Sequence, residues 1–550
     1  MKGSYPSVME STMISRYRIG KVVLILLGAF CLCSQSCLLP CQRTGGVCSG
    51  SSIVPASGPV AAQDEIRTGT DEAREPVASK GPLRLTARDG ILTALENNRT
   101  LRIERFNPEI YRAAEEKERA VFDPVIAGTY SRFRARSHSD ASAVDDDIDN
   151  EVDTMIGLSG QIPTGTDVEL EIATEQSWSD DSPDDLHESR VGLSVTQALL
   201  RGAGLEYNLA RLRQARIDTR ISEYELRGFA EALVAEVEET YWDYALTERQ
   251  IEIFQGSLTL AEQQKSETEE MIAIGSLAES ELVAAEAEIA LRREGLINAK
   301  SSLEKTRLQL LRLLNPPSEN LWSRKLVIMD QPVAPEVTLD DVEDHVRVAL
   351  KMRPDLNQAR IGVLRGDLEI MRTKNGALPK LDFFISLGKT GYAGSFSSSV
   401  TNIAGDSYDI LAGINLEYPF LNRGAKADHR KSLLTRKQAD ESVKNMAQLV
   451  QVDVRSAYIE VGRAREQITA TSATRALQEE KTRIEMEKFR VGKSTTLLVA
   501  QAQRDLLESR IAETESIANY LKSLVELYRL EGSLLERRGI EAPGRDPVHF

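Results

Sequence analysis

Two long stretches of the chain place an apolar residue at every third or fourth position. Leu233, Val237, Tyr241 and Tyr244 follow at spacings of four, four and three; Val443, Met446, Val450, Val454, Ala457 and Val461 follow at three, four, four, three and four. Such a stripe covers one face of an α-helix and predicts helices packed through that face. The prolines agree, since none occurs between Pro183 and Pro316 or between Pro419 and Pro543. A proline inside a helix costs about 3 kcal/mol. The pattern predicts a helix over 203–273, about 105 Å long, broken by Gly275, and a return helix over 277–314 of about 57 Å that stops at Asn315-Pro316-Pro317. The second half predicts the same: 425–490 out, 494–538 back. Shorter helices are expected over 101–122 and 355–377. Elements this long and thin share no single central core and must lie side by side as a bundle.

Between each short helix and the following long one, the period changes from 3.6 to 2. KLDFFISLGKTGYAG and YDILAGINLEYPF flank a polar tip, and Ile410, Ala412, Ile414, Leu416 and Tyr418 alternate with other residues. This reads as a hairpin of two strands, each long enough to cross a bilayer tilted. Phe383, Phe384, Tyr418 and Phe420 sit toward the helices, where interfacial aromatics belong. The first connector, 125–200, is longer than the second, 380–422. It holds VIAGTYSRFRARS, an acidic loop, TMIGLSGQI, the turn Pro163-Thr164-Gly165-Thr166, DVELEIATEQSW, a second acidic loop and RVGLSVTQALL. Val168, Leu170 and Ile172 alternate with Asp167, Glu169 and Glu171, as in a barrel wall with lipid on one side and water on the other. An open hairpin cannot rest in lipid, because each unpaired edge group there costs several kcal/mol. Other copies of the chain must therefore supply the missing edges. The extra hairpin at Pro163–Thr166 is either an added loop or two further crossings. Four strands per copy, and twelve in three copies, is the expectation.

The two halves are a duplication. Ala94-Leu95 aligns with Ala349-Leu350, Leu101 with Leu356, Leu200-Arg201-Gly202 with Asn422-Arg423-Gly424, and MIAIGSLAESELVAAEAE with KFRVGKSTTLLVAQAQRD, which sets Gly275 on Gly492. The Val491-Gly492-Lys493-Ser494-Thr495 run looks like the end of a phosphate-binding loop. Its first glycine would fall at Glu487, helix precedes it, and its twin lacks the lysine, so that reading fails.

Net charge is −16, which argues against a nucleic-acid partner. The histidines His138, His187, His345, His429 and His549 have no metal-ligand spacing, and no nucleophile elbow occurs. No enzyme, metal or cofactor is expected. Arg16, Arg18 and Lys21 precede an apolar run over 22–32, too short to span a bilayer and fitting a secretory signal. Cys31, Cys33, Cys37, Cys41 and Cys48 all fall in this region, so the folded part holds no disulfide, and one of them is a candidate for a lipid anchor. The resulting division is a signal region over 1–48, a disordered lead-in over 49–82, repeats over 83–330 and 331–540, and a tail over 541–550.

From residue 83 to 540 the chain resembles the TolC-like outer-membrane efflux family. The resemblance rests on the duplication and on ALENN…FDPV and ALKMRPDL…ALPKL before the strands, QALLRGAG and YPFLNRGA after them, and the glycine turns AIGSLAES and RVGKSTTL. It implies a mainly α chain with a membrane β-barrel: duplicated helical hairpins form a periplasmic tunnel, and β-hairpins from three copies form a twelve-stranded outer-membrane barrel. It implies passive conduction in a tripartite efflux or type I secretion system, with a periplasmic adaptor and an ABC or proton-driven inner-membrane pump as partners. Ile274, Gly275, Ser276 and Leu277, with Val491, Gly492, Lys493 and Ser494, would then face the adaptor. The family's aspartates past the second tip are missing here, where TTLLVAQAQ precedes Asp505, so any acidic ring would rest on Glu279 and Glu281. The alternative reading is a periplasmic coiled-coil scaffold or adaptor that never enters a membrane.

Overall fold

The two longest proline-free stretches, 184–315 and 420–542, hold the long helices. The structure, a computed structural model, describes residues 81–550 except 138–146, 180–184, 318–319, 336–337, 545, 547 and 549–550. These belong to the unit Glu75–Phe550. The leader, the five cysteines, nearly all of the lead-in and most of both acidic loops lie outside the described residues.

The chain enters through β1 (Leu83–Leu85), α1 (Ala87–Asn97), α2 (Arg99–Glu104) and α3 (Phe106–Arg119). Four strands follow, β2 (Val125–Ser137), β3 (Asp147–Ile162), β4 (Thr166–Ser179) and β5 (Leu186–Ala198). After α4 (Leu205–Asn208) come α5 (Ala210–Ala273) and its return helix α6 (Ser280–Leu314). The second passage is β6 (Leu326–Ile328), α7 (Val342–Met352), α8 (Pro354–Gly376), β7 (Lys380–Ala393), α9 (Phe396–Asn402), β8 (Tyr408–Glu417), α10 (Arg423–Arg490), α11 (Thr496–Glu531) and α12 (Leu534–Arg537). The long helices have 64 and 68 residues, hence lengths of roughly 96 and 102 Å. A single helix over 101–122 does not form. It breaks at Arg105, because Pro108 has no N–H for the carbonyl one turn back and its ring crowds that carbonyl.

Near the sheet α3, α5, α8 and α10 lie abreast; toward the far end α6 and α11 take the places of α3 and α8. Matched positions of the two halves are buried alike: Ala94 with Ala349, and Leu101 with Leu356. The stripe residues Leu233, Val237, Tyr241 and Tyr244 fill one core cluster, and Val450, Val454, Ala457 and Val461 fill the other. Each return helix closes on a left-handed residue, Asn315 (φ 42°) and Gly532 (φ 73°). Where the return helices end, β1 and β6 pair in parallel.

That middle zone also buries charge. Arg227, 1% exposed, donates to Glu231 at 3.2 Å, to the Gly532 carbonyl at 3.4 Å and to Glu536 at 3.4 Å. His345 Nδ1 lies 3.2 Å from Glu531 Oε2, both nearly inaccessible. The Arg227 contacts tie α5, and the His345 contact ties α7, to the chain's end, and removing one partner of the Arg227 pair would leave a buried charge alone.

All strands but β1 and β6 form one antiparallel sheet in the order β2-β3-β4-β5-β7-β8. The expectation of four strands per copy is therefore corrected to six. The β3–β4 hairpin pairs with both neighbours over most of its length, β3 with β2 over Asp147–Ser159 and β4 with β5 over Thr166–Ser177. Its turn is locked to the helices: Gly204 N–H donates to Thr164 O at 3.0 Å, and a Cβ on Gly165 (φ 87°) would overlap the Gly202 carbonyl oxygen. With that turn fixed at the helix end of the sheet, β3 and β4 must run its full height.

Burial raises the Glu231 carboxyl to about 7, against the opposing pull of Arg227. The folded chain then holds this proton where the unfolded chain has lost it, so its contribution to stability falls as pH climbs from about 4.5 to about 7. Urea unfolding of the helices should show Glu231→Gln gaining up to about 3 kcal/mol relative to wild type across that window. A difference that stays constant with pH would refute the assignment.

Candidate functional site

The sheet has two unlike faces. Register places Ile126, Gly128 and Tyr130 of β2, Leu158 and Ile156 of β3, Val168, Leu170 and Ile172 of β4, Val195, Leu193 and Val191 of β5, Leu381, Phe383, Ile385 and Leu387 of β7, and Ile410, Ala412, Ile414 and Leu416 of β8 on one side. The apolar band is thus continuous through the extra hairpin. Many of its members are solvent-exposed in the single chain, Ile126 at 69% and Ile414 at 67%. Monomeric soluble proteins rarely expose contiguous apolar patches beyond a few hundred Å².

The opposite side carries the acids. Asp167, Glu169, Glu171 and Glu175 of β4 align there with Asp149, Glu151 and Asp153 of β3 and with Glu188 of β5. The carboxylates of Glu151, Asp153 and Glu175 lie within 4.8 Å of one another. Farther along, Arg190 reaches across β7 to Asp409 at 2.8 Å. Gly388 lies beneath this pair, and a Cβ there would strike both side chains. The alternation in β4 signalled this face in the sequence. The acids of β3 and β5 were missed, because neither strand alternates cleanly by itself.

Sheet edges complete the picture. Among the described residues β2 pairs only with β3, and β8 only with β7, so each leaves one edge open.

At the other end of the long helices stand two turns of the same build. Gly275 (φ 74°) and Gly492 (φ 70°) adopt left-handed backbone, which glycine enters without the Cβ penalty. Ser276 N–H donates to Met271 O at 2.8 Å and Gly275 N–H to Ile272 O at 2.9 Å; Lys493 N–H donates to Lys488 O at 2.8 Å and Gly492 N–H to Phe489 O at 2.9 Å. Both are Schellman closures, which satisfy the carbonyls left over at a helix end. An ion pair between Arg490 and Glu267, 3.1 Å, joins the two tips at one level. Ile274 and Val491 hold matching positions just before the glycines and are 80% and 67% exposed. Ser276 and Lys493 are also exposed, while Leu277 and Ser494 are half-buried. Ser494 donates to Glu485 at 2.9 Å, and the Thr495 side chain caps α11. Glu279 is exposed and Glu281 half-buried at the start of α6. Asp505 is engaged by Lys481 at 2.7 Å. Among the described residues no helix is long and apolar enough to cross a membrane.

Comparison with known proteins follows the same lines. The pattern of the outer membrane efflux protein family matches residues 346–533. No curated protein matches the chain. Among solved structures, it is similar to the Campylobacter jejuni CmeC outer membrane channel (16% identity, TM-score 0.63, 82% of this chain and 86% of that one). It is similar also to the open state of the Neisseria gonorrhoeae MtrE outer membrane channel (17%, 0.58, 82% and 89%). The outer membrane protein VceC from Vibrio cholerae is a third (14%, 0.59, 81% and 96%). At these identities the likeness concerns the fold. Residues 346–533 thus match the outer membrane efflux protein family, and the described residues share the fold of such channels.

Proposed function

We propose that this protein is the outer-membrane channel of a tripartite efflux or type I secretion system, conducting passively what a periplasmic adaptor and an inner-membrane pump deliver. The observation that carries this reading is the apolar band that crosses all six strands while both sheet edges stay open. In hydrocarbon the band is stable but the edges are not, and a closed ring of copies resolves the conflict. Three copies would bring eighteen strands, a size that leaves an aqueous lumen, and the acids of the opposite face would line it. A scaffold that stayed in water would leave the band uncovered, which disfavours that alternative.

The helical tips are the proposed adaptor contact. Ile274 and Val491 offer exposed apolar anchors beside Gly275 and Gly492, with Ser276, Leu277, Lys493 and Ser494 around them. Glu279 and Glu281 are the proposed aperture acids.

Two outcomes are expected. Placing arginine at Ile172 should hinder membrane insertion by about 2–4 kcal/mol, as much as at Ile414 on β8. Heat-resistant oligomer recovered from reconstitution measures this, and a neutral Ile172→Arg would show that the extra hairpin stays out of the bilayer. At the tips, Ile274→Asp combined with Val491→Asp should abolish adaptor cross-linking and export in cells while oligomers persist. Gly492→Val should weaken docking too: nothing lies within 4 Å of an added Cβ, so its cost is local backbone strain of about 1–2 kcal/mol. Export at the wild-type level in the double variant would overturn the docking role.

A further inference from the structure

Charges on the sheet are sorted by face. Arg132, Arg134 and Arg136 follow Tyr130 along β2 on the apolar side, at the end away from the helices, and all three are exposed. Their cross-strand neighbours on that face are Val152, Asn150 and Ile148, followed on β4 by Gln176 and Trp178. None of these is acidic. The acids of the same strands, Asp149, Glu151, Asp153 and Glu175, all stand on the other face. A hairpin shaped for water would set arginine opposite carboxylate and gain roughly 0.2–1 kcal/mol per pair. Here Arg132 and Arg134 stand about 7 Å apart along one strand, and among the described residues no acid of β3 or β4 shares their face.

We propose that Arg132 and Arg134, beside Trp178, form a docking surface for the phosphate groups of an anionic lipid in the leaflet farthest from the helices. Arg136 already has a partner within the chain and is an accessory. The proposal rests on the reading of the sheet as a membrane wall. Position argues for a lipid over a free anion. Arg132 is six residues beyond Ile126, roughly 20 Å along the strand and about 15 Å in height at a tilt of about 40°, and the apolar residues of β2 give way to arginine there. Their stems can lie on apolar surface while the guanidinium groups reach the headgroups. A guanidinium binds phosphate through two parallel hydrogen bonds, and half-buried Trp178 is the residue type favoured at that depth.

The test uses the full chain reconstituted in phosphatidylcholine vesicles. Tryptophan fluorescence is quenched with tail-brominated phosphatidic acid or tail-brominated phosphatidylcholine. Trp242 lies in α5 and Trp322 after α6, away from the sheet, so quenching reports Trp178. Wild type should prefer phosphatidic acid, and Arg132→Gln with Arg134→Gln should weaken that preference about thirty-fold. Arg132→Lys with Arg134→Lys should keep most of it, as should the distant control Arg347→Gln with Arg483→Gln. Equal quenching by both lipids, an unchanged preference in the Gln variant, or full competition by inorganic phosphate would overturn the proposal and leave the channel reading intact. Absence of quenching by either lipid would overturn both.

Discussion

The structure turns on backbone hydrogen bonding at two open sheet edges. A six-stranded sheet with one apolar face is stable in water only if that face is covered, and in lipid only if its edges are paired. One chain can do neither. The inner strands pair with one another over most of their length, and among the described residues the open edges are those of β2 and β8. Everything the sheet displays fits that single demand: apolar residues gathered on one side, acids on the other, and glycine under the ion pair that crosses β7.

The helices answer a different demand. Segments of 64 and 68 residues cannot be stabilised by propensity alone and need continuous lateral contact. Duplication provides it, because each short helix and each return helix covers one half of a long one. The junction between the half-length helices is the weak point of such a design. There the chain concentrates its buried ion pairs, the β1–β6 pair and the helix caps, with Asn98 donating to Leu313 O at 2.9 Å and Asn315 to Asn97 O at 2.9 Å.

Much of this was readable from residue order. Proline gaps and a 3.6-residue stripe gave the long helices, and the stripe residues of both halves fill the two cores. The glycine turns were visible because an isolated glycine interrupts each pattern. Two features were not. The break at Arg105 depends on a proline three residues downstream, which a stripe does not register. The count of strands failed because a single alternating strand carries little signal by itself. An acidic, loop-flanked hairpin looks alike whether it joins the sheet or stands apart from it. Only its register with β2 and β5 separates the two. The exposed apolar tips carry no distinguishing pattern either, since a hydrophobic residue at a helix end is ordinary until both tips are seen at one level.

The extra hairpin has a geometric consequence where sheet gives way to helix. Six strands spaced about 4.8 Å apart and tilted by about 40° cover roughly 38 Å of circumference. Four helices abreast, at 8–10 Å each, cover roughly 32–40 Å. Four strands would have covered only about 25 Å and required the wall to taper sharply at the junction. With β3 and β4 included, the two arcs are nearly equal. In the ring of copies proposed above, equal arcs would carry one bore from sheet into helices.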